Sequence, residues 1–409
     1  MQTKLDKTFL QSDDGQLADK ILRSCVHCGF CTATCPTYQI LGDELDGPRG
    51  RIYQIKEMLE GNAVTKETLT HLDRCLSCRA CESTCPSGVE YGHLLEIGRS
   101  EVDKRVKRSL GQRFIRKALL TILPYPKRFA TLLQLGQSVR GFLPNVLKQH
   151  VPAKKLIPET STTTHPRKML VLDGCVQPAL SPEINAATKK VLDTLSIELM
   201  SFSGCCGAIR QHLSDEENAL ITIKNNIDRL LVEFDQGVEA IVMTASGCGA
   251  MFKEYPHLLR NDLEYKDKAQ RVADKTLDLS EVIFNEIIIN KNEKLKTQLS
   301  VSQSNIAVHT PCTLQHAQKL PNHIENILSH CGYNLTKIKD KHLCCGSAGT
   351  YSITQAKLSE QLREQRLSGL MVGAPDVIAT ANIGCLHHLN GGSDVPVKHW
   401  IEIVVEDLN

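Results

Sequence analysis

"RSCVHCGFCTATCPTY" (residues 23–38) places four cysteines within eleven positions and follows the last with a proline. Fifty residues on, "DRCLSCRACESTCPSG" (73–88) repeats the layout position for position. Each run puts three thiols on one tight loop and a fourth just beyond it. Three thiolates so spaced can wrap one face of a small inorganic cluster, with backbone N–H groups turned toward it. Gly29 is expected to keep its loop close to such a cluster. Pro36 and Pro86 are expected to fix φ after the fourth cysteine and to stop the loop running on as helix.

The spacing C-x2-C-x2-C-x3-C-P is that of bacterial two-cluster ferredoxins, where the fourth cysteine of each run ligates the other [4Fe–4S] cluster. On that rule Cys25, Cys28, Cys31 and Cys85 hold one cluster, and Cys75, Cys78, Cys81 and Cys35 hold the second. Structural zinc is the alternative. It usually takes two separated C-x2-C pairs, and repetition of the whole run argues against it.

The chain has 409 residues, which suits two or three domains, and 41% of them are hydrophobic. A net charge of +2 and 4% aromatic residues give no nucleic-acid signature. "MQTKLDKTFLQSDDGQ" (1–16) lacks the apolar core of a secretory signal. No apolar run reaches the roughly 18 residues of a membrane span. Seventeen cysteines in a reducing cytosol then point to metal chemistry rather than disulfides.

Residues 1–96 read as a helical two-cluster domain, with helix expected over 16–24 and within 43–61 after a Gly/Pro turn. Residues 97–166 read as a helical and linker region broken at Pro124, Pro126 and Pro144. Between Arg99 and Arg128 ten Lys/Arg face two acids, which suits either an anionic lipid or acidic partner surface or a solvated helix. "HVPAKKLIPETSTTTHPRK" (150–168) reads as a linker. Beyond it, apolar β-rich runs at 168–173, 197–202 and 239–244 alternate with helical stretches near 183–195 and 214–235. The pattern recurs with strands at 305–310, 334–339 and 376–380 and helices near 322–331 and 354–370. The fold class is therefore α+β multidomain: a helical cluster domain followed by two duplicated α/β halves, 167–260 and 305–409, with mainly parallel sheets. Charged residues 261–304 read as a connector.

Most remaining cysteines follow these strands, where ligands gather in parallel sheets. Cys175, Cys205, Cys206 and Cys248 should converge in one half, and Cys312, Cys344, Cys345 and Cys385 in the other. Matching cysteines are offset by 137 to 139 residues, as duplication would leave them. Each quartet is a candidate for a further cluster or metal, or for free thiols or a redox disulfide. His309 and His316 flank Cys312 as candidate extra ligands or ordinary polar residues. Cys331 reads as a buried helix residue.

The two halves resemble the cysteine-rich CCG domain of heterodisulfide reductase subunits. There a fifth cysteine completes a C-x2-C pair, where this chain has Met251 and His388. Together with "CVHCGFCTATCPTYQILGDELDGPRGRIYQIK" and "CLSCRACESTCPSGVEYGHLLEIGR", the layout resembles the iron–sulfur subunits of bacterial glycolate oxidases over nearly the whole chain. That resemblance implies two [4Fe–4S] clusters, flavoprotein partner subunits that carry FAD and oxidise glycolate, and electron delivery toward a quinone or other membrane acceptor. It implies a cytoplasmic location, peripheral on the inner membrane. No "GxGxxG" follows a strand, so flavin is expected only on the partners. The alternatives are the iron–sulfur subunit of anaerobic glycerol-3-phosphate dehydrogenase and a heterodisulfide-reductase-like thiol oxidoreductase.

Overall fold

The computed structural model describes residues 1–142, 153 and 163–409; Pro144 and the body of the expected linker lie outside them. In the N-terminal domain, two helices deliver the cysteine runs. Asp13–Ser24, capped by the Ser12 hydroxyl accepting from the Gly15 N–H, leads into Cys25. Lys66–Asp73, capped by Thr65, leads into Cys75. Each loop then makes two left-handed turns, at His27 and Gly29 (φ 56° and 85°) and at Ser77 and Arg79 (φ 54° and 59°). The left-handed conformation is thus common to both repeats, while glycine is not. Arg79 adopts a conformation that costs a side-chain-bearing residue about 1–2 kcal/mol, and its guanidinium is ion-paired to Glu254.

Two short helices come next, Phe30–Ala33 in the first run and Ala80–Thr84 in the second. They pack on one another, with Thr84 Oγ1 donating to Thr34 Oγ1 at 3.3 Å. Pro36 ends the first cysteine run, but it also opens a new helix, Pro36–Leu41, at the first position. Its missing N–H has no intrahelical partner there to lose, so the expected block is a restart. Pro86 instead begins a turn. Helix Pro48–Leu59 appears where expected. Helix Tyr91–Arg105 crosses residue 96 and packs against the helices at 13–24, 48–59 and 66–73 around Leu22, Ile55, Leu72 and Leu94.

The basic stretch divides in two. Arg99 donates to the carbonyls of Leu72 and Cys75 at 2.9 and 2.7 Å, and Arg105 to that of Met58 at 2.6 Å. Arg108 and Arg116 both pair with Asp73. These four hold the N-terminal domain together and are not a free face. Of the other six, Lys104 pairs with Glu101, Lys107 is exposed, and Arg113, Lys117, Lys127 and Arg128 sit on a helical hairpin, Leu110–Ile122 and Pro126–Val139, neither helix of which has a fully buried residue. Among the described residues, no helix is long and apolar enough to cross a membrane.

The rest of the described chain builds two four-stranded sheets. The first holds β1 (Arg167–Leu172), β2 (Ile197–Phe202), β3 (Ile241–Met243) and β4 (Thr276–Asp278) in the order β2-β1-β3-β4. The second holds β5 (Asn305–His309), β6 (Asn334–Leu335), β7 (Val377–Thr380) and β8 (Val397–His399) in the matching order β6-β5-β7-β8. Every pairing within them is parallel. Two strands were not expected. β4 lies inside the stretch read as a connector, and β8 near the C-terminus; both are three residues long, too short for a period to be read from the sequence. The run at 334–339 forms only two paired residues.

The halves share one core. Helix Glu183–Thr194 of the first packs on Trp400–Glu406 of the second, and Leu279–Phe284 packs on His323–Cys331. Val191, Leu192, Ile283, Ile327 and Trp400 are buried between them. Cys331 lies in this core as an apolar residue would.

Candidate metal centres

Cys25, Cys28, Cys31 and Cys85 line one cavity, which Cys81 also reaches and which Arg49 and Tyr91 close on other sides. The first three come from the loop after helix Asp13–Ser24, and Cys85 from the second repeat. Burial, then Cys25 and Cys28, push the Cys31 thiol up to about 11. Without metal, such a set keeps its protons, so metal binding would release them. Cys81 lies within electrostatic range of Cys78, Cys75 and Cys35, which form the complementary group. Four thiols around one space are the donor set that an iron–sulfur cluster requires.

Beneath these loops lies a polar clamp. The carboxylate of Asp46, fully buried, accepts from Arg51 Nη2 at 3.2 Å and from Arg74 Nη1 at 2.7 Å, with His71 Nδ1 3.1 Å away. Arg51 also donates to the His71 carbonyl at 2.7 Å and to Thr37 Oγ1 at 3.1 Å. Thr37 Oγ1 in turn lies 3.3 Å from Cys35 Sγ. The "DELDGPRGRIY" segment is therefore the support that joins Cys35 to the loop of Cys75. By sequence alone it stood only as a mark of family.

Each α/β half gathers its own four cysteines beyond the carboxyl ends of its strands. In the first, hydrogen bonds from Cys175 and Cys206 draw the Cys205 thiol down, and the Gly207 N–H lies 3.5 Å from its sulfur. Cys206 also contacts Cys248. In the second, Cys312 and Cys344 are 3.8 Å apart, Cys344 neighbours Cys345, and Cys345 neighbours Cys385. The order of contacts is the same in both halves. Where a fifth cysteine would stand, Met251 is buried beside Gly207, and His388 Nε2 is hydrogen-bonded to Ser359. His316 is engaged through both ring nitrogens, with Ser83 Oγ at 2.9 Å and the His342 carbonyl at 3.2 Å.

The second half also abuts the N-terminal domain. Cys78, Cys312 and Cys344 belong to one packed cluster with Leu76, Tyr351 and Leu362. Tyr351 donates to the Arg74 carbonyl at 2.9 Å. The first half docks elsewhere, through Glu254, which binds Arg79 and lies 2.9 Å from His93 Nε2.

This arrangement has relatives. Residues 21–89 match the family described as "4Fe-4S dicluster domain", and residues 169–253 and 306–390 each match "Cysteine-rich domain". The glycolate oxidase iron–sulfur subunit of Escherichia coli (strain K12) is 50% identical over 411 residues, covering 100% of this chain and 99% of the relative. The chain belongs to the family of glycolate oxidase iron–sulfur subunits. The family extends to a probable glycolate oxidase iron–sulfur subunit of Bacillus subtilis (strain 168), 29% identical over 96% of this chain and 94% of that one. Lactate utilization protein A of the same organism is 28% identical across 58% of this chain and 98% of its own length. Within the family, the matched segments of this chain contain both ferredoxin-type cysteine runs and both α/β quartets.

Proposed function

We propose that this chain is the electron-transfer subunit of a flavin-dependent glycolate oxidase complex. The carrying observation is full-length correspondence to the E. coli subunit, with both cysteine runs inside the segment that matches the dicluster domain. Cys25, Cys28, Cys31 and Cys85 hold one [4Fe–4S] cluster, and Cys75, Cys78, Cys81 and Cys35 the other. Bound clusters supply one-electron carriers between a two-electron flavin and its acceptor. The chain's residues brace the two loops through the Asp46–Arg51 clamp and pack Cys78 of the second quartet against the second half. Glycolate oxidation falls to FAD-bearing partner subunits, and the electrons go to a quinone-type acceptor. Residues 1–96 with the rest of helix Tyr91–Arg105 act as the cluster domain, 167–260 together with β4 and 305–409 as the CCG halves, each a candidate metal site, and the remainders of 97–166 and 261–304 as the helical and linker region and the connecting segment. The chain is cytoplasmic and peripheral on the inner membrane, held there by the basic, apolar hairpin at 110–139.

The test is anaerobic purification of the chain with and without its flavoprotein partners, with iron and sulfide analysis and EPR. The complex should carry at least about eight irons in this chain, in two interacting cubane signals that glycolate reduces. The chain alone should not respond to glycolate. Zinc in place of iron, or glycolate oxidation by the isolated chain, would overturn the reading.

A further inference from the structure

Arg366 lies on helix Ala356–Leu370 and is 1% exposed. Its Nε donates to His309 Nδ1 at 3.1 Å, and its Nη1 to the carbonyls of Lys339 and Asp340, each at 2.9 Å. All these acceptors are uncharged, and Nη2 has none. The guanidinium lies within electrostatic range of Cys345, Asp340, Cys344 and Cys385; Asp340 meets it through its carbonyl and is solvent-exposed, which screens its carboxylate.

His309, at the end of β5, is fully buried. Because Nδ1 accepts from Arg366, the proton of the neutral ring resides on Nε2. Nε2 likewise has no partner. A ring nitrogen of His309 and the sulfurs of Cys345 and Cys385 lie within 4.8 Å of one another. A buried cation and a buried N–H donor therefore stand open beside the thiols.

Burying a charge without an opposite charge is strongly unfavourable. Among the described residues the other fully buried arginine obeys the rule, since Arg51 is paired with Asp46. Arg366 is supplied with no such carboxylate by its hydrogen bonds. The first half lacks the arrangement. Its strand-end residue is Leu172, and Arg210 near its thiols already pairs with Asp215 at 2.6 Å.

We propose that Cys312, Cys344, Cys345 and Cys385 hold an anionic metal–thiolate group that Arg366 neutralises and to which His309 donates a hydrogen bond from Nε2. This rests on the reading that the CCG halves bind metal, and it assigns the charge-compensated site to the second half. His309 is a donor to the group and not a ligand, because its bond to Arg366 keeps Nε2 protonated. The packing of Cys312 and Cys344 with Cys78 places the group next to the second ferredoxin-type quartet.

The test uses the full chain purified without oxygen, with iron, zinc and sulfide counted. Wild type should hold metal beyond the N-terminal clusters, and Cys345→Ser should lose it. A chelator should then strip this metal from Arg366→Met at least about tenfold faster, the loss expected for one charge-assisted hydrogen bond, while Arg366→Lys restores retention. Arg366→Met should also raise the melting temperature of metal-free protein and lower that of loaded protein, a reversal that a purely structural arginine would not give. No Cys345-dependent metal in wild type would overturn the metal-binding reading itself. Metal that is present but leaves Arg366→Met at the wild-type rate would overturn the inference alone. Should Arg366→Met fail to fold, His309→Leu, which installs the residue type of the first half, carries the test. Faster release supports the proposal, and unchanged release overturns it.

Discussion

Cys85 stands four residues from Cys81 in the chain, and both reach the cavity of Cys25, Cys28 and Cys31, but Cys81 also lies within electrostatic range of Cys78, Cys75 and Cys35. The crossing arises because the Ala80–Thr84 helix turns the chain back toward Phe30–Ala33 before Cys85 emerges. Cys85→Ser should therefore deplete the cluster of the first run and spare that of the second, and Cys35→Ser should do the reverse. EPR of the two variants, with iron counted in each, checks this; loss of the same signal in both would refute the crossing. The thiols were legible because their spacing is local and carries its own geometric meaning. His309 and Arg366 were not legible as a pair. They are 57 residues apart and are joined only by folding, which brings the end of β5 against a later helix. Asp46 and Arg74 were hidden for the same reason, being 28 residues apart.

Among elements, the join between helix Tyr91–Arg105 and the segment carrying Glu254 is set by titratable groups. Despite burial, His93 and Arg79 hold the Glu254 carboxyl down to about 2, while burial and Glu254 push Glu96 up to about 7. Burial opposes protonation of His93, but Glu254 outweighs it and raises its pKa, and burial with His93 drives the stacked His257 down to about 3. Linkage gives the sign of each contribution. Glu254, depressed, gives stability that is present above 4.5 and lost as pH falls toward 2. Glu96, raised, loses stability as pH climbs from 4.5 to about 7. His93, also raised, contributes fully below 6.5 and fades as pH passes its folded value. His257, depressed to about 3, acts in the opposite sense, adding stability as pH climbs from about 3 to 6.5 and offsetting Glu96 there. The joint should thus loosen chiefly above about pH 6.5, read as falling hydrogen-exchange protection factors for helix Ser246–Lys253. Glu96→Gln should leave the His257 contribution unopposed, so that protection rises from about pH 5 to 6.5 in the variant while the fall above that remains; protection that rises in the wild type above pH 6.5 would contradict the assignment. Elements with strong apolar runs were legible, as β1, β2 and β5 show. β4, β6 and β8 were hidden or overestimated because two or three paired residues carry no period, and their strand character comes from the neighbour's ladder.

At the scale of the whole molecule, the hairpin at 110–139 is the part that the rest of the described structure leaves uncovered. Leu110 and Phe114 are 81% and 76% exposed, one turn apart, and Leu132, Leu135 and Val139 keep the same helical spacing on the second arm. Lys107, Arg113, Lys117, Lys127 and Arg128 are exposed beside them, and no acid occurs between residues 104 and 142. Apolar side chains flanked by cations, with no anion among them, match the boundary of an anionic bilayer, where each basic residue contributes about 1 kcal/mol. An acidic protein partner would satisfy the charges but would leave these large apolar groups needing a matching groove. The chain should therefore sediment with vesicles containing phosphatidylglycerol and not with purely zwitterionic ones. Raising salt should release it, because the attraction is screened within about 8 Å at physiological ionic strength. Reversing Arg113, Lys117 and Lys127 to Glu should weaken binding by roughly a hundredfold or more, from three lost contributions of about 1 kcal/mol each. Phe114→Ser with Leu135→Ser should weaken it even at low salt, where charge alone would hold the chain. Binding that survives the charge reversal, or that never occurs on anionic vesicles, would assign the hairpin to a protein partner. The position of the face gives the lipid assignment a further consequence. Arg210 on the first half donates to Tyr125 Oη at 2.9 Å, at the bend between the two arms. A bilayer engaged by the hairpin therefore fixes the orientation of that half as well, and Tyr125→Phe should leave vesicle affinity intact while loosening that orientation in hydrogen exchange on bound vesicles.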